Sequence, residues 1–322
     1  MVIFGSSNII KSIEFRHRLR KKQEIINRHK KMSTSEIVDD LQRRYLEMTG
    51  RHLNLDEPET FTEKIQWTKL FDLDEEKTTL SDKYAVRSWV EGRIGEEYLI
   101  PLYGCWNHAN EIDFDALPSS FVLKTNNACG TNIIVRDKGE IDAQLARSQL
   151  DAWLEMDFGW ETFETQYMSI PPKIIAEKLL IGERGSDPTD YKFLCFNGKP
   201  EYIWVTDDRS TNHTELTLNT DWTKADWRDA STKEPETLPE KPKELELMLE
   251  IARKLSTGFS HVRVDLYCVS GRVYFGEMTF TSGSGFFRVE PSVYDERIGA
   301  LWRIDDAKTG MFDNRLTIGN AR

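Results

Sequence analysis

His261 to Gly285 reads HVRVDLYCVSGRVYFGEMTFTSGSG, and the fold of the chain turns on this stretch. Two runs of alternating residues flank Ser270-Gly271, the signature of a β-hairpin. In the first run Val262, Val264 and Leu266 face one way and Arg263, Asp265 and Tyr267 the other, because strand side chains alternate with period two. In the second run Phe275, Glu277 and Thr279 share a face. A three-residue loop with Cys268 opposite Arg272 sets Asp265 opposite Phe275 and Arg263 opposite Glu277. Asp265 and Glu277 are then diagonal neighbours on one face, close enough to hold the same cation. Two carboxylates and an arginine form a poor apolar surface but a good seat for Mg²⁺ and phosphate, since Mg²⁺ takes one or two carboxylates plus phosphate oxygens. Without a metal the two carboxylates are expected to repel. The plain alternative is a half-exposed hairpin whose polar face meets water; the rest of the chain weighs against it.

The chain has 322 residues, enough for two or three subdomains, and its 39% hydrophobic and 30% charged residues are those of a soluble globular protein. No apolar run approaches the ~20 residues that a membrane span needs. The opening MVIFGSSNII does not read as a signal peptide, because its basic residues follow the apolar ones. Cys105, Cys129, Cys195 and Cys268 are scattered without CxxC pairing, so reduced thiols in a cytoplasmic protein are expected, not a zinc site or disulfide framework. A net charge of −11 argues against nucleic acid as a partner. Residues 1–32 nevertheless carry nine Lys/Arg against two Asp/Glu, a +7 arm that leaves −18 on the remainder.

Residues 9–31 read as one helix with a basic face, which can be solvated, pack on the acidic body, or lie on an acidic partner or anionic lipid at the inner face of the membrane. Helices are predicted over Phe61–Phe71 and Asp82–Ile94, the latter stopped by Gly95. A short strand broken by Pro101 follows at Tyr98–Tyr103, and 107–119 reads as a linker. Phe121–Thr125 is a strand that ends in the small-residue loop NNACGT, and Asn132–Arg136 returns from it. A helix at 140–156, an aromatic stretch Trp160–Tyr167 and a strand Lys173–Leu180 come next. Asp190–Phe196 and Glu201–Thr206 form a hairpin about Asn197-Gly198. Residues 207–240 read as a long surface loop, and Pro242 opens a helix that runs to Ser256 with Leu245, Met248, Leu249, Ala252 and Leu255 on one face. No internal repeat or low-complexity segment is present.

A triphosphate site needs backbone N–H groups and lysines on the phosphates, and carboxylates for Mg²⁺. FVLKTNNACGTN supplies Lys124 beside a flexible loop with Gly130, though the spacing is not that of a P-loop. Taken in order, SDKYAVR, FVLKT with its Gly loop, IIAEKLL, DYKF and RVDLY…YFGEMTF resemble the ATP-grasp superfamily. More narrowly, FTEKIQW, SDKYAVR, EEYLIPLYG, PSSFVLKTNNACGTNIIV, PPKIIAEKLL, DYKFLCFNGKP and the final hairpin resemble the TupA-like ATP-grasp family of cell-surface polysaccharide and teichuronopeptide synthesis. The resemblance runs from about Pro58 to about Gly299.

It implies an α+β ATP-grasp fold, with two α+β subdomains gripping ATP after a helical N-terminal region. That gives 1–118 as the N-terminal region and 119–322 as the ATP-grasp domain, divided at about 172. By position, Lys83 and Lys124 contact ATP phosphates beside the Gly130 loop. The strand Ala176–Leu180 offers its backbone to adenine, with Glu177 at the hinge and Lys178 and Leu180 after it. Asp190 takes the ribose and Lys192 the phosphates. Arg263 neutralises the transferring phosphoryl group, and Asp265, Glu277 and Thr279 are the Mg²⁺ ligands, Thr279 standing where the superfamily commonly has Asn. The loop Ser282–Gly285 lies where the superfamily closes over its acyl acceptor.

The reading this favours is an ADP-forming carboxylate–amine ligase using ATP and Mg²⁺, with a uronic acid or acidic glycan as carboxylate and an amino acid or amine as acceptor. A glycosyltransferase using Asp207-Asp208 as its metal motif leaves Lys124, Lys192 and the Asp265/Glu277 pair unexplained. A kinase stopping at phosphoryl transfer shares the same nucleotide site, and a non-catalytic scaffold is expected to have lost the metal carboxylates.

Overall fold

The computed structural model describes residues 8–72, 74–182, 185–207 and 213–304, with side chains from Phe15 onward. Asp208 and Arg209 lie outside the described residues. The chain begins with α1 (Asn8–His29), α2 (Thr34–Thr49), α3 (Phe61–Phe71), α4 (Glu75–Ser81) and α5 (Val86–Ile94). Strands β1 (Leu102–Trp106), β2 (Phe121–Thr125) and β3 (Asn132–Val135) follow, then α6 (Ala143–Leu154), α7 (Gly159–Thr162) and α8 (Thr165–Met168). After β4 (Ile174–Glu177) come β5 (Asp190–Phe196), β6 (Lys199–Asp207), β7 (Thr214–Asn219), β8 (Arg228–Asp229) and α9 (Leu245–Ser256). The chain closes with β9 (His261–Val269), β10 (Arg272–Thr279), β11 (Val289–Glu290) and α10 (Val293–Leu301).

The strands form two main antiparallel sheets, one of four in the order β1-β4-β2-β3 and one of five in the order β10-β9-β5-β6-β7. The first sheet draws β1 from before residue 119 and β4 from after residue 172. It buries Phe121, Leu123, Ile133, Val135, Ile174 and Ala176 against Ala146, Leu150 and Trp153 of α6. The second buries one face, including Phe193, Ile203, Val262, Val264 and Leu266, under the apolar stripe of α9. Its other face is apolar at one end only, where Leu194, Phe196 and Trp204 meet Phe61 of α3 and Ile298 of α10. At the other end of that face stand Asp190, Lys192, Thr206, Arg263 and Asp265, all buried. The face therefore changes from apolar core to buried charge along its own strands. Truncating fully buried Phe193 to Ala would cost ~3–5 kcal/mol, the usual price of an aromatic-sized cavity.

Helix α3 spans the predicted residues and starts with a capping box, in which Thr60 accepts from Glu63 N–H and the Glu63 side chain accepts from Thr60 N–H. Where 82–94 reads as one helix, the structure has α4, a turn and then α5. Asp82 accepts from the N–H groups of Tyr84 and Ala85, so it makes the turn instead of a first helical residue. The predicted 98–103 strand shifts to Leu102–Trp106, past Pro101. Residues 107–119 are not a linker: Ala109, Ile112, Phe114 and Leu117 enter the core of the first sheet, and Arg147 donates to the carbonyls of Ala109 (2.5 Å) and Ile112 (2.7 Å). Residues 207–240 are not simply a surface loop either. They contain β7 and β8, and they bury Trp222 and Trp227.

The arm is docked on the body. Phe15 packs edge-on against Trp153 with 5.6 Å between ring centres, Ile26 and His29 are buried, and Lys22 and Lys30 pair with Glu161 and Asp157. Arg16, Arg18, Arg20, Lys21, Arg28 and Lys31 remain exposed on its outer side.

The hairpin forms, but in another register. Ser270 and Gly271 both have positive φ (53° and 75°), as a two-residue turn requires, so Val269 pairs with Arg272 instead of Cys268. A bulge at Gly276 then resets the phase: Phe275 pairs with Leu266 on the core side, and Glu277 stands directly opposite Asp265, with Thr279 opposite Arg263. Phe275 and Glu277 therefore do not share a face. The bulge aims Glu277 at Asp265, which plain alternation would not.

Candidate active site

The polar end of the second sheet is centred on Arg263. Its Nε and Nη2 donate to Asp265 Oδ1 (2.7 Å) and Oδ2 (2.6 Å), and Nη2 also donates to Glu277 Oε1 (3.2 Å) and Thr279 Oγ1 (3.1 Å). Burial alone would lower the pKa of Arg263, but Asp265 and Glu277 more than compensate and hold it above its ordinary value. Burial pushes Asp265 upward, the Arg263 fork opposes that rise, and Glu277 adds to it. The expected carboxylate repulsion is thus relieved by a guanidinium between the two carboxylates.

Across the sheet Lys192 stands opposite Asp265. Its ammonium donates to Thr206 Oγ1 and Glu215 Oε2 (3.3 Å) and lies 3.9 Å from Asp190 Oδ2. Thr206 Oγ1 also donates to Glu215 Oε2 (3.1 Å), so β6 and β7 together fix the lysine. Asp190 is buried at the start of β5, opposite Thr206 and Tyr267.

The first sheet presents the second group of residues. Lys124 Nζ lies 2.5 Å from Glu177 Oε2, and Arg87 Nη1 donates to Glu177 Oε1 (3.0 Å). Arg87 Nη2 donates to Ile100 O (2.9 Å), which ties α5 to the chain between the sheets. Lys83 Nζ donates to Ala128 O (2.5 Å) and its N–H to Asn126 O (3.1 Å), so it braces the small-residue loop. Gly130, with φ +75° and open space where a Cβ would project, lies exposed on that loop. Strand β4 ends at Glu177, short of the expected Leu180. The N–H of exposed Lys178 is already given to Pro101 O (2.9 Å). Leu180 is buried with Ile100 and Tyr274 in a small apolar cluster, and Leu99 bridges to Phe275 of β10.

The thiol of Cys129, on that loop, is raised first by burial and then by Glu277, while Lys83 and Arg263 oppose the rise. Lys124, Glu177 and the Gly130 loop thus belong to the first sheet, with Lys83 bonded to that loop, while Asp190, Lys192 and the hairpin residues belong to the second. Two surface cavities lie elsewhere, beside Trp67 and Trp302, and include none of these residues.

Sequence reasoning assigned no role to Arg87, Thr206, Glu215 or Glu164. Arg87 lies inside the motif SDKYAVR. Glu215 was signalled only by the alternation in TELTLN, within a stretch read as a loop. Nothing in sequence tied Glu164 to the hairpin.

A divalent cation suits the donor set. Three oxygens, from Asp265, Glu277 and Thr279, already surround one cationic nitrogen within 3.2 Å. Among the described residues no group of three His, Cys, Asp or Glu is gathered to hold an ion alone. Mg²⁺, which completes its shell with phosphate oxygens and water, does not require one.

Two antiparallel sheets, one carrying a glycine-bearing loop and the other a carboxylate hairpin, define the ATP-grasp fold. The chain belongs to the TupA-like ATP-grasp family, whose match spans residues 63–303. Among curated proteins none matches the chain. Similar solved structures include D-alanine–D-alanine ligase from Bacillus anthracis complexed with ATP (18% identity, TM-score 0.37, covering 63% of this chain and 54% of that one). Another is D-alanine–D-alanine ligase from Helicobacter pylori (13%, 0.45, 76% and 69%). A third is L-amino acid ligase from Bacillus licheniformis (13%, 0.38, 64% and 42%). The chain spans just over half the length of the first, and likenesses this distant say nothing about chemistry.

Proposed function

We propose that the protein is an ATP- and Mg²⁺-dependent, ADP-forming carboxylate–amine ligase. On the family resemblance, its carboxylate is a uronic acid or acidic glycan component of a cell-surface polysaccharide, and its acceptor an amino acid or other amine. The observation that carries this reading is the convergence of Asp265, Glu277 and Thr279 oxygens on one nitrogen of Arg263, with Lys192 opposite. Such an array suits the terminal phosphates of a nucleotide and gives no covalent nucleophile, so the chemistry it supports is transfer between bound substrates.

The γ-phosphoryl passes to a substrate carboxylate oxygen and ADP leaves. The amine nitrogen then attacks the acyl carbon, the C–O bond to phosphate breaks, and phosphate departs with the electron pair. Asp265, Glu277 and Thr279 would hold Mg²⁺, which when bound draws off charge from the β- and γ-phosphates. Arg263 neutralises the transferring group, and Lys83, Lys124 and Lys192 orient the phosphates. Asp190 takes the ribose, and adenine lies along the chain after Glu177 against Leu180. The cytoplasm supplies the nucleotide, and the exposed basic side of α1 rests against the membrane's inner face.

Incubation with Mg²⁺-ATP and a panel of uronic acids and amines tests the reading, with both nucleotide product and amide mass recorded. ADP, phosphate and amide together are expected. AMP would indicate adenylation and overturn it, and ADP with a stable phosphorylated product and no amide would make the protein a kinase.

A further inference from the structure

Thr281 follows Thr279 by two residues, just past the end of β10. There Glu164, between α7 and α8, reaches in. It accepts from Thr281 Oγ1 (2.5 Å), Ser284 Oγ (2.6 Å) and Thr162 Oγ1 (2.5 Å), while Gln166 donates to Thr281 Oγ1 (2.7 Å). A carboxylate offers about four acceptor directions, so three hydroxyls leave one open. Among the described residues no Lys or Arg forms an ion pair with Glu164. Lys69 feels the charge of Glu164, but its wholly buried amine donates to Ser284 O (2.9 Å) and lies over the Phe286 ring (4.3 Å). Burial lowers it to about 7, so near neutrality it offers Glu164 only part of a charge.

The turn that Glu164 grips is strained. Gly283, Ser284 and Gly285 all have positive φ (54°, 52° and 67°), a conformation that costs a serine energy and persists only where its surroundings impose it. Ser282, wholly buried in the same turn, has a hydroxyl without a hydrogen-bond partner. The Tyr167 phenol is raised by burial first and then by the charges of Glu164 and Glu277.

We propose that Glu164, with Thr281 and Ser284, is the acceptor-amine site, and that it binds a primary ammonium group beside the acyl phosphate held at Arg263. This rests on the ligase reading and adds the residue that selects and activates the nucleophile. The ammonium gives one proton to Glu164, the freed amine attacks the acyl carbon, and the second proton leaves with the departing phosphate.

The test compares wild type with Glu164→Gln, which keeps the shape and removes the charge. Glucuronate and galacturonate serve as carboxylates, and glycine, glutamate and ethanolamine as amines. Hydroxylamine, mostly unprotonated at neutral pH, serves as a nucleophile that needs no deprotonation. Amide formation should fall ~10²–10³-fold, as when one preorganised electrostatic contact is lost. Hydroxamate formation and Mg²⁺-ATP affinity should stay within about threefold. Retention of both products, or loss of both in a folded variant, overturns the assignment. If Glu164→Gln does not fold, Thr281→Val and Ser284→Ala should each raise the amine KM without slowing hydroxamate formation, and an unchanged KM overturns the assignment equally. Wild-type amide formation that Glu164→Gln leaves intact defeats this proposal alone, whereas a wild type that makes neither product defeats the ligase reading and this one with it.

Discussion

Lys124 and Glu177, on neighbouring strands of the first sheet, are joined by a 2.5 Å ion pair, with side chains only 17% and 7% exposed. Lys124 is therefore not a loose charge at a strand end, and Arg87 shares the same carboxylate from the other side. Two cations on one acid leave a net positive edge where a polyphosphate can lie, and the acid keeps each lysine and arginine rotamer in place.

Lys124→Ala should weaken Mg²⁺-ATP binding about 10–100-fold, the worth of a charge-assisted hydrogen bond of ~1.5–3 kcal/mol. Because Arg87 still neutralises the buried Glu177, stability should fall by only ~1–3 kcal/mol, the worth of one charged hydrogen bond, and the variant should stay folded. Calorimetric titration of nucleotide, with urea unfolding alongside, checks both. Unchanged affinity would leave the pair as sheet scaffolding.

Gly276→Ala probes the bulge. A Cβ there would meet Asp265 O at 3.0 Å and the Tyr267 ring at 3.1 Å, so the Asp265 carbonyl and the ring must give by a few tenths of an ångström. Overpacking of this kind costs ~1–3 kcal/mol. Because the displaced carbonyl belongs to Asp265, turnover should fall more than stability does. An active variant with wild-type denaturant midpoint would show that the bulge does not set the Glu277–Asp265 pairing.

How much of this was legible in the sequence follows from range. Helix α3 and the Asn197-Gly198 hairpin are written in local signals, a capping box in one and positive φ in the other (51° and 77°), so their reading holds. The Ser33–Glu36 capping box and Gly50 stop of α2 are equally local signals. The bulge was not legible. One glycine in an alternating run can be a bulge or a plain strand residue, and only packing against Tyr267 and the chain of β9 decides. The site residues lay in readable motifs, but their partners came from strands far apart in sequence, as with Glu215 on Lys192 and Glu164 on Thr281.

His261 gives a pH signature. It is buried among Phe61, Phe196 and Trp302, bonded through Nδ1 to Cys195 O (3.0 Å), and burial lowers its pKa to about 3 from the usual 6.5. Between those values the unfolded chain binds a proton that the native state refuses, so stability falls as pH falls through that window, by up to ~1.4 kcal/mol per unit. His261→Phe should remove this term: less stable than wild type at pH 7.5, it should gain on wild type as pH drops toward 4. Parallel unfolding curves for the two proteins over that range would contradict it.

The arm calls for substitution instead of deletion. Removing residues 1–32 would uncover apolar surface now covered by Phe15 and Ile26 and destabilise the body, contrary to what an independent arm would do. Replacing exposed Arg16, Arg18, Arg20 and Lys21 with Gln should instead leave the melting temperature and ATP turnover unchanged. Exposed charges contribute little to folding but ~1 kcal/mol each to binding an anionic surface. Co-sedimentation with phosphatidylglycerol vesicles should drop by at least tenfold, and undiminished binding would remove the membrane role.

The most direct test of the whole account is Glu277→Gln. Asp265→Asn is the less clean choice, because it takes the main partner from a buried guanidinium, a change that can cost ~3–5 kcal/mol. Glu277 is 35% exposed and holds Arg263 at 3.2 Å, so its amide should fold like wild type. Turnover at saturating Mg²⁺-ATP is then measured by ADP release and amide mass. The account predicts intact folding, retained nucleotide binding through the lysines, and a rate lowered ~10²–10³-fold, restored only in part by added Mg²⁺. Wild-type turnover by this variant would contradict the assignment of the hairpin as the catalytic metal site.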